Sequence, residues 1–110
     1  MNLDIKTEHS KEEAILYIEG EVDAYTAPQL KEAIEPLTEK DGQLVTVDLT
    51  DVSYIDSTGL GIFVGALKSS EANNSKLRLV GLNQRVMRLF SITGLDEVID
   101  IEEGKKEGTQ

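Results

Sequence analysis

Two adjoining stretches, Leu44-Val45-Thr46-Val47-Asp48-Leu49 and Val52-Ser53-Tyr54-Ile55-Asp56-Ser57-Thr58-Gly59-Leu60-Gly61, decide how this chain folds. The first is short, apolar and rich in β-branched residues, as a buried strand is. Asp51 to Asp56 reads as the connection, and a helix is predicted from Ser57 to about Ser70. Asp56 or Ser57 supplies the N-cap, its oxygen facing the free N–H groups of the first turn. Leu60, Phe63, Val64 and Leu67 recur at helical spacing and form the stripe expected to face a sheet, with Ile62 and Ala66 off it. A helix apolar on more than one side is either deeply buried or offers apolar surface to a partner.

Working outward, Leu3-Asp4-Ile5-Lys6-Thr7 alternates apolar and polar residues as a half-buried strand does. A charged turn, Ser10 to Glu13, leads to a second predicted strand, Ala14 to Val22, and the two can pair as a hairpin. Thr26 is positioned to cap a helix in which Pro28 occupies the first turn and Leu30, Ile34 and Leu37 form the apolar face. Pro36 predicts a kink or an early loosening. Asp41-Gly42 marks a turn. Beyond the central helix come a polar loop, Ala72 to Ser75, and a strand, Lys76 to Val80. A third helix is capped by Asn83, carries Val86, Met87, Leu89 and Phe90, and stops at Gly94. A short strand, Val98 to Ile101, ends the predicted domain, residues 1–101. The charged tail, residues 102–110, is expected to be disordered. The order ββαβαβαβ is that of a single α/β domain. Helices between strands imply right-handed crossovers and parallel pairing, so the sheet is expected to be mixed and mostly parallel, with an N-terminal β-hairpin and three main helices packed on it.

Composition narrows the function. The 110 residues include 21 acidic and 11 basic ones, a formal net charge of −10. A polyanion repels phosphate backbones and anionic lipid, so neither nucleic acid nor membrane is an expected partner. The acidity serves solubility or a basic protein partner. There is no cysteine, which excludes disulfides, thiolate catalysis and Cys-based zinc sites. The first residues lack a basic region followed by an apolar run, and no stretch has the eighteen or so apolar residues of a membrane span. The expected compartment is the cytoplasm, and nothing in the sequence requires more than a monomer.

The turn around Ser57 carries the chemistry. Ligand sites in open α/β sheets lie beyond the carboxyl ends of strands. Asp56-Ser57-Thr58 could be no more than a cap, but two hydroxyls stand where one would do. Gly59 and Gly61 lie early in a helix, where glycine costs about 1 kcal/mol relative to alanine; they serve either tight packing on the sheet or the close approach of another molecule. A phosphate on Ser57 would be favoured by the helix dipole and free N–H groups and would add about −1.5 to −2 charges. Asp23 and Asp56 would add to that field if the turn after the second strand lies beside the third. Two like charges about 6 Å apart repel by on the order of 3 kcal/mol at an effective dielectric of 20, and about 1.4 kcal/mol changes an affinity tenfold. One phosphate in an interface is therefore enough to release a partner.

Two enzymatic readings fit worse. A nucleophilic Ser57 would need a base; the only histidine, His9, lies near the first turn, and no G-x-S-x-G elbow is present. A phospho-aspartate receiver could draw on Asp23, Asp48, Asp51 and Asp56 for magnesium, but the chain opens with two strands, and the last strand has no adjacent lysine.

Three segments together resemble the anti-sigma factor antagonists of the STAS-domain family: Gly20-Glu21-Val22-Asp23, Asp56-Ser57-Thr58-Gly59-Leu60-Gly61, and Arg88-Leu89-Phe90-Ser91-Ile92-Thr93-Gly94-Leu95. The likeness runs from about Leu3 to Ile101. Tyr25-Thr26-Ala27-Pro28 and Tyr54 to Gly59 are most similar to the general stress-response antagonists, with the sporulation antagonists as the neighbouring subfamily. The resemblance implies a STAS-type fold and a partner switch. The unphosphorylated protein binds an anti-sigma factor that is also a serine kinase, and frees the sigma factor. The kinase phosphorylates the serine matching Ser57, with Thr58 a secondary acceptor, and a metal-dependent serine phosphatase restores the active form. The resemblance places Asp23 near the phosphoacceptor, and Asp56, Ser57, Thr58, Gly59, Gly61 and Ile62 in or beside the partner surface. It implies no cofactor and no metal in this chain. A STAS module that scaffolds or senses a small ligand, with Ser57 silent, is the alternative.

Overall fold

The computed structural model describes residues 2–102. The chain forms β1 (Leu3–His9), β2 (Glu13–Val22), α1 (Ala27–Thr38), β3 (Leu44–Ile55), α2 (Ser57–Ala72), β4 (Lys76–Val80), α3 (Gln84–Ile92), a 3-10 turn (Leu95–Glu97) and β5 (Asp100–Glu102). The expected order ββαβαβαβ holds. The strands lie in the order β1-β2-β3-β4-β5, with β1 antiparallel to β2 and the other neighbours parallel. Each parallel connection steps one strand in the same direction. Right-handed crossovers therefore put all three helices on one face.

Burial follows from that layering. Ala14, Leu16 and Ile18 of β2, Val45, Val47 and Leu49 of β3, and Leu77 and Leu79 of β4 point to the helices and are buried. They join Leu30 and Ile34 of α1, Leu60 and Phe63 of α2, and Val86 and Phe90 of α3 in a single core. Phe63 and Phe90 meet edge to face with ring centroids 5.8 Å apart, a favoured aromatic geometry that ties α2 to α3. Alternate strand residues face away from the helices, and among the described residues no element packs on that face of the sheet.

Four sequence expectations need correction. β3 runs on to Ile55, so Asp51 to Ile55 is strand and only Asp56 connects it to α2. Its second half pairs with β2 alone and is bulged in two places, between the pairs Tyr17–Asp48 and Glu19–Asp51 and between Gly20–Val52 and Glu21–Tyr54. Bulges break the period-two pattern that marks a strand in a sequence. Thr26 is not a side-chain cap: its backbone is already helical, and its hydroxyl donates to the Glu21 carbonyl (2.8 Å). On α2 it is Ala66 that is buried, while Val64 and Leu67 are half-buried, because α1 as well as the sheet packs against this helix. The last strand begins at Asp100, two residues after Val98, because the 3-10 turn uses the preceding residues, and it includes Glu102.

The expected limits of α3 hold. Asn83 caps α3, accepting from the Val86 N–H at 2.8 Å, and Gly94 follows the helix in the left-handed conformation with φ 78°. The helix α1 continues two residues past Pro36 and ends at Thr38. Among the described residues, no helix is long and apolar enough to cross a membrane. Apart from Glu102, the expected disordered tail lies outside the described residues.

Candidate functional site

The site is built where β2 and β3 end side by side. Val22 pairs with Ile55, and the Asp56 N–H donates to the Val22 carbonyl at 3.0 Å. The turn after β2 therefore does lie beside the start of α2. Asp56 is the N-cap: its extended backbone leads into the helix, and its Oδ1 accepts from the Gly59 N–H at 2.9 Å. That settles the choice between Asp56 and Ser57 as cap. Ser57 is then the first helical residue, and Ser57 and Thr58 both stand exposed.

Gly59 answers the question of the paired glycines in part. A Cβ at this position would lie 2.5 Å from Val22 Cγ1 and 2.8 Å from the Val22 carbonyl oxygen. Only glycine lets α2 descend this close to the end of β2, and Gly59 is itself buried. Gly61 differs: a Cβ there meets nothing within 4 Å, and the same holds for Gly65 one turn on. These two leave an open notch on the solvent side of α2. With Ile62 and Ala66 they line a groove of about 250 Å³ whose other wall is Lys31, Ile34 and Glu35 of α1.

Asp23 follows Val22 beside the start of α2, but its carboxylate serves its own loop. It is buried, and Oδ1 accepts from the Tyr25 N–H (2.9 Å) and the Thr26 N–H (3.0 Å). The Asp23 N–H in turn donates to Thr26 Oγ1 at 2.9 Å. Each of these backbone donors would otherwise be left unpaired at the entry to α1. The loop holds Tyr25 almost free of contact, 88% exposed. Tyr54, in the last turn of β3 before the cap, is 45% exposed. Both segments that lead to this end of the sheet thus carry an exposed aromatic ring.

Sequence reasoning missed the groove between α1 and α2, the exposure of Tyr25 and Tyr54, and a second hollow of about 500 Å³. Ser53 lines that hollow at the end of β3, with Asn83, Gln84, Arg85 and Arg88 of α3. Their partners lie some thirty positions away in the chain, so no local pattern signals them. His9 pairs with Ala14, at the start of β2 and so at the end of the sheet opposite Ser57. No imidazole is therefore near enough to activate the Ser57 hydroxyl.

Comparison with known proteins agrees with this geometry. The STAS domain model matches residues 4–108. An anti-sigma-B factor antagonist of Listeria monocytogenes is 49% identical over 98% of this chain and 97% of its own length. The anti-sigma-B factor antagonist of Bacillus subtilis is 42% identical, with both chains covered completely. An anti-sigma factor antagonist from Mycobacterium paratuberculosis, 22% identical, superposes with a TM-score of 0.83 over 96% of this chain and 89% of its own. That likeness is one of fold. With the sheet order, the capped turn at Ser57 and near full-length similarity in agreement, the chain belongs to the STAS domain family.

Proposed function

We propose that this chain is an anti-sigma factor antagonist of the general stress-response type, switched off by phosphorylation of Ser57. The observation that carries this reading is the division of labour at the start of α2. Asp56 makes the cap bond, and this leaves the Ser57 hydroxyl exposed on the first helical residue. A kinase can reach it, and a phosphate added there sits at the favourable end of the helix dipole. The fold therefore tolerates the modification while the surface gains negative charge locally.

In this reading the anti-sigma factor, itself a serine kinase, covers Ser57 and Thr58 and extends along α2 over Gly61 and Ile62. The notch at Gly61 and Gly65 admits a partner side chain. Asp23 and Gly59 act indirectly, by shaping the turn and by seating α2 on β2. Asp56 holds the helix start and adds its charge to the field that a phosphate would reinforce. Binding frees the sigma factor, and phosphorylation reverses it. A metal-dependent serine phosphatase, whose metal it carries itself, regenerates the active form. ATP and the catalytic groups belong to the kinase, so this chain acts in the cytoplasm as a regulator and not as an enzyme. The names of the Listeria and Bacillus relatives, anti-sigma-B factor antagonists, support the antagonist role.

Binding of the anti-sigma factor by calorimetry tests the proposal. Ser57→Ala should bind as wild type does, and Ser57→Asp should bind at least about tenfold more weakly, equivalent to about 1.4 kcal/mol. Unchanged binding by Ser57→Asp, with its fold intact by circular dichroism, would contradict the electrostatic switch.

A further inference from the structure

Charge is divided unequally between the two layers of the molecule. The five strands carry nine acidic residues against three cations, whereas the three helices carry three acids against four cations. Because the inward strand positions are apolar, nearly all the strand charge lies on the uncovered face or at its rim. The cations are themselves unevenly placed. Arg78 is drawn toward Glu13, 3.6 Å from its Oε2, and Lys76 and Arg78 both belong to β4. Among the described residues, Lys6 is therefore the one strand cation of the β1–β3 part of the face, set against its acids.

Tyr17 stands in the middle of that part. It pairs with Lys6 on one side and Asp48 on the other, is 36% exposed, and lends its hydroxyl to Glu8 at 3.3 Å. Beside it lies a hollow of about 340 Å³ whose wall includes Asp4, Glu8, Glu19 and Asp51. On the same face Ile15, Leu44 and Val80 are half-buried apolar residues, with Val80 across Asp48 from Tyr17. An apolar and aromatic centre within a charged rim is the anatomy of a protein interface. The sign of the rim selects the partner. A cationic side chain can lie over the tyrosine ring, which attracts cations, while the carboxylates around it supply the opposite charge. A second copy of this chain would bring the same acids against themselves.

We propose that the uncovered sheet face around Tyr17 is a second docking surface, and that it takes a Lys/Arg-rich segment of another protein. It lies across the sheet from α2, so it can be occupied while the Ser57 surface is also engaged. It does not depend on the role of Ser57.

The test uses the full chain and a short peptide of alternating arginine and serine as probe, followed by amide NMR shifts and fluorescence anisotropy. Shifts should concentrate on Lys6, Tyr17, Glu19 and Asp48. The double variant Glu19→Gln/Asp51→Asn should weaken peptide binding about tenfold. A control of equal charge on α1, Glu32→Gln/Glu35→Gln, should change it less than about twofold, because screening limits distant exposed charges. Ser57→Asp should leave the sheet-face shifts in place. Shifts spread over the acids of α1 and of the 3-10 turn, equal weakening by the control, or no binding at low salt would overturn the proposal. Dilution-dependent shifts of the same amides without peptide would also overturn it, in favour of self-association.

Discussion

Replacing each of three glycines on α2 by alanine should separate packing from partner contact. At Gly59 the new methyl would press on Val22, including its carbonyl oxygen at 2.8 Å. That carbonyl cannot easily retreat, because it accepts from the Asp56 N–H and Val22 is paired with Ile55. Overpacking of this kind costs about 1–3 kcal/mol, and the gain from replacing glycine in a helix, at most about 1 kcal/mol, offsets part of it. The expected net loss is about 1–2 kcal/mol, which lowers Tm by roughly 4–16 °C in a domain of this size. Gly61 and Gly65 have nothing within 4 Å of the new methyl. Each substitution there should raise stability by about 0.5–1 kcal/mol. Yet Gly61 and Gly65 line the groove beside Ile62, so Gly61→Ala should weaken binding of the anti-sigma factor while the protein becomes more stable. Urea unfolding followed by circular dichroism, with calorimetric titration of the partner, measures both quantities. A Gly59→Ala protein as stable as wild type would refute the packing argument. A Gly61→Ala protein that binds normally would remove the groove from the partner surface.

Other outcomes follow from the same geometry. Asp56→Ala removes the cap bond to Gly59 and should cost about 1 kcal/mol of unfolding free energy, whereas Asp56→Asn should lose only a few tenths; equal losses in urea unfolding would argue against capping as its main structural role. Asp23→Ala should leave the Tyr25 and Thr26 amides unpaired and speed their hydrogen exchange, with unchanged exchange counting against the turn described. The Tyr17 phenol is held above its ordinary range by burial first, then by the neighbouring Glu8 charge and its hydrogen bond. Since its folded pKa is raised, the associated stability is present below about pH 10, the unfolded value, and is lost as pH rises through the folded value. Ultraviolet titration should show Tyr17 ionising above the ordinary tyrosine range in the folded protein, and Glu8→Gln should bring it back toward that range; an unchanged titration would remove Glu8 as a cause.

Much of the fold was legible because long apolar periodicities and end signals agreed. Asn83 and Gly94 bracket α3, and the alternation of β2 puts Leu16 and Ile18 inward. What was illegible was non-local. Asp51, Ser53 and Tyr54 look like a loop, since they lie on a bulged strand end that pairs with β2 alone and leaves their side chains exposed. Thr26 looks like a cap because Ser, Thr, Asp and Asn all serve as caps. Whether the Thr26 hydroxyl caps α1 or turns to the Glu21 carbonyl depends on how β2 leaves the sheet. Val64 and Ala66 exchanged roles because a helix wedged between a sheet and another helix buries more than one stripe. At the site, the Ser57 turn was visible from its hydroxyls and glycines. The second wall of the groove, supplied by Lys31, Ile34 and Glu35, was not.

The most direct test of the central claim is phosphate transfer from ATP to this protein by its anti-sigma kinase, read by peptide mass spectrometry with Ser57→Ala as control. The account predicts phosphate on the Ser57 peptide of the wild type, none in the control, and weaker kinase binding after transfer. Phosphate elsewhere, or phosphate on Ser57 with binding unchanged, would contradict it.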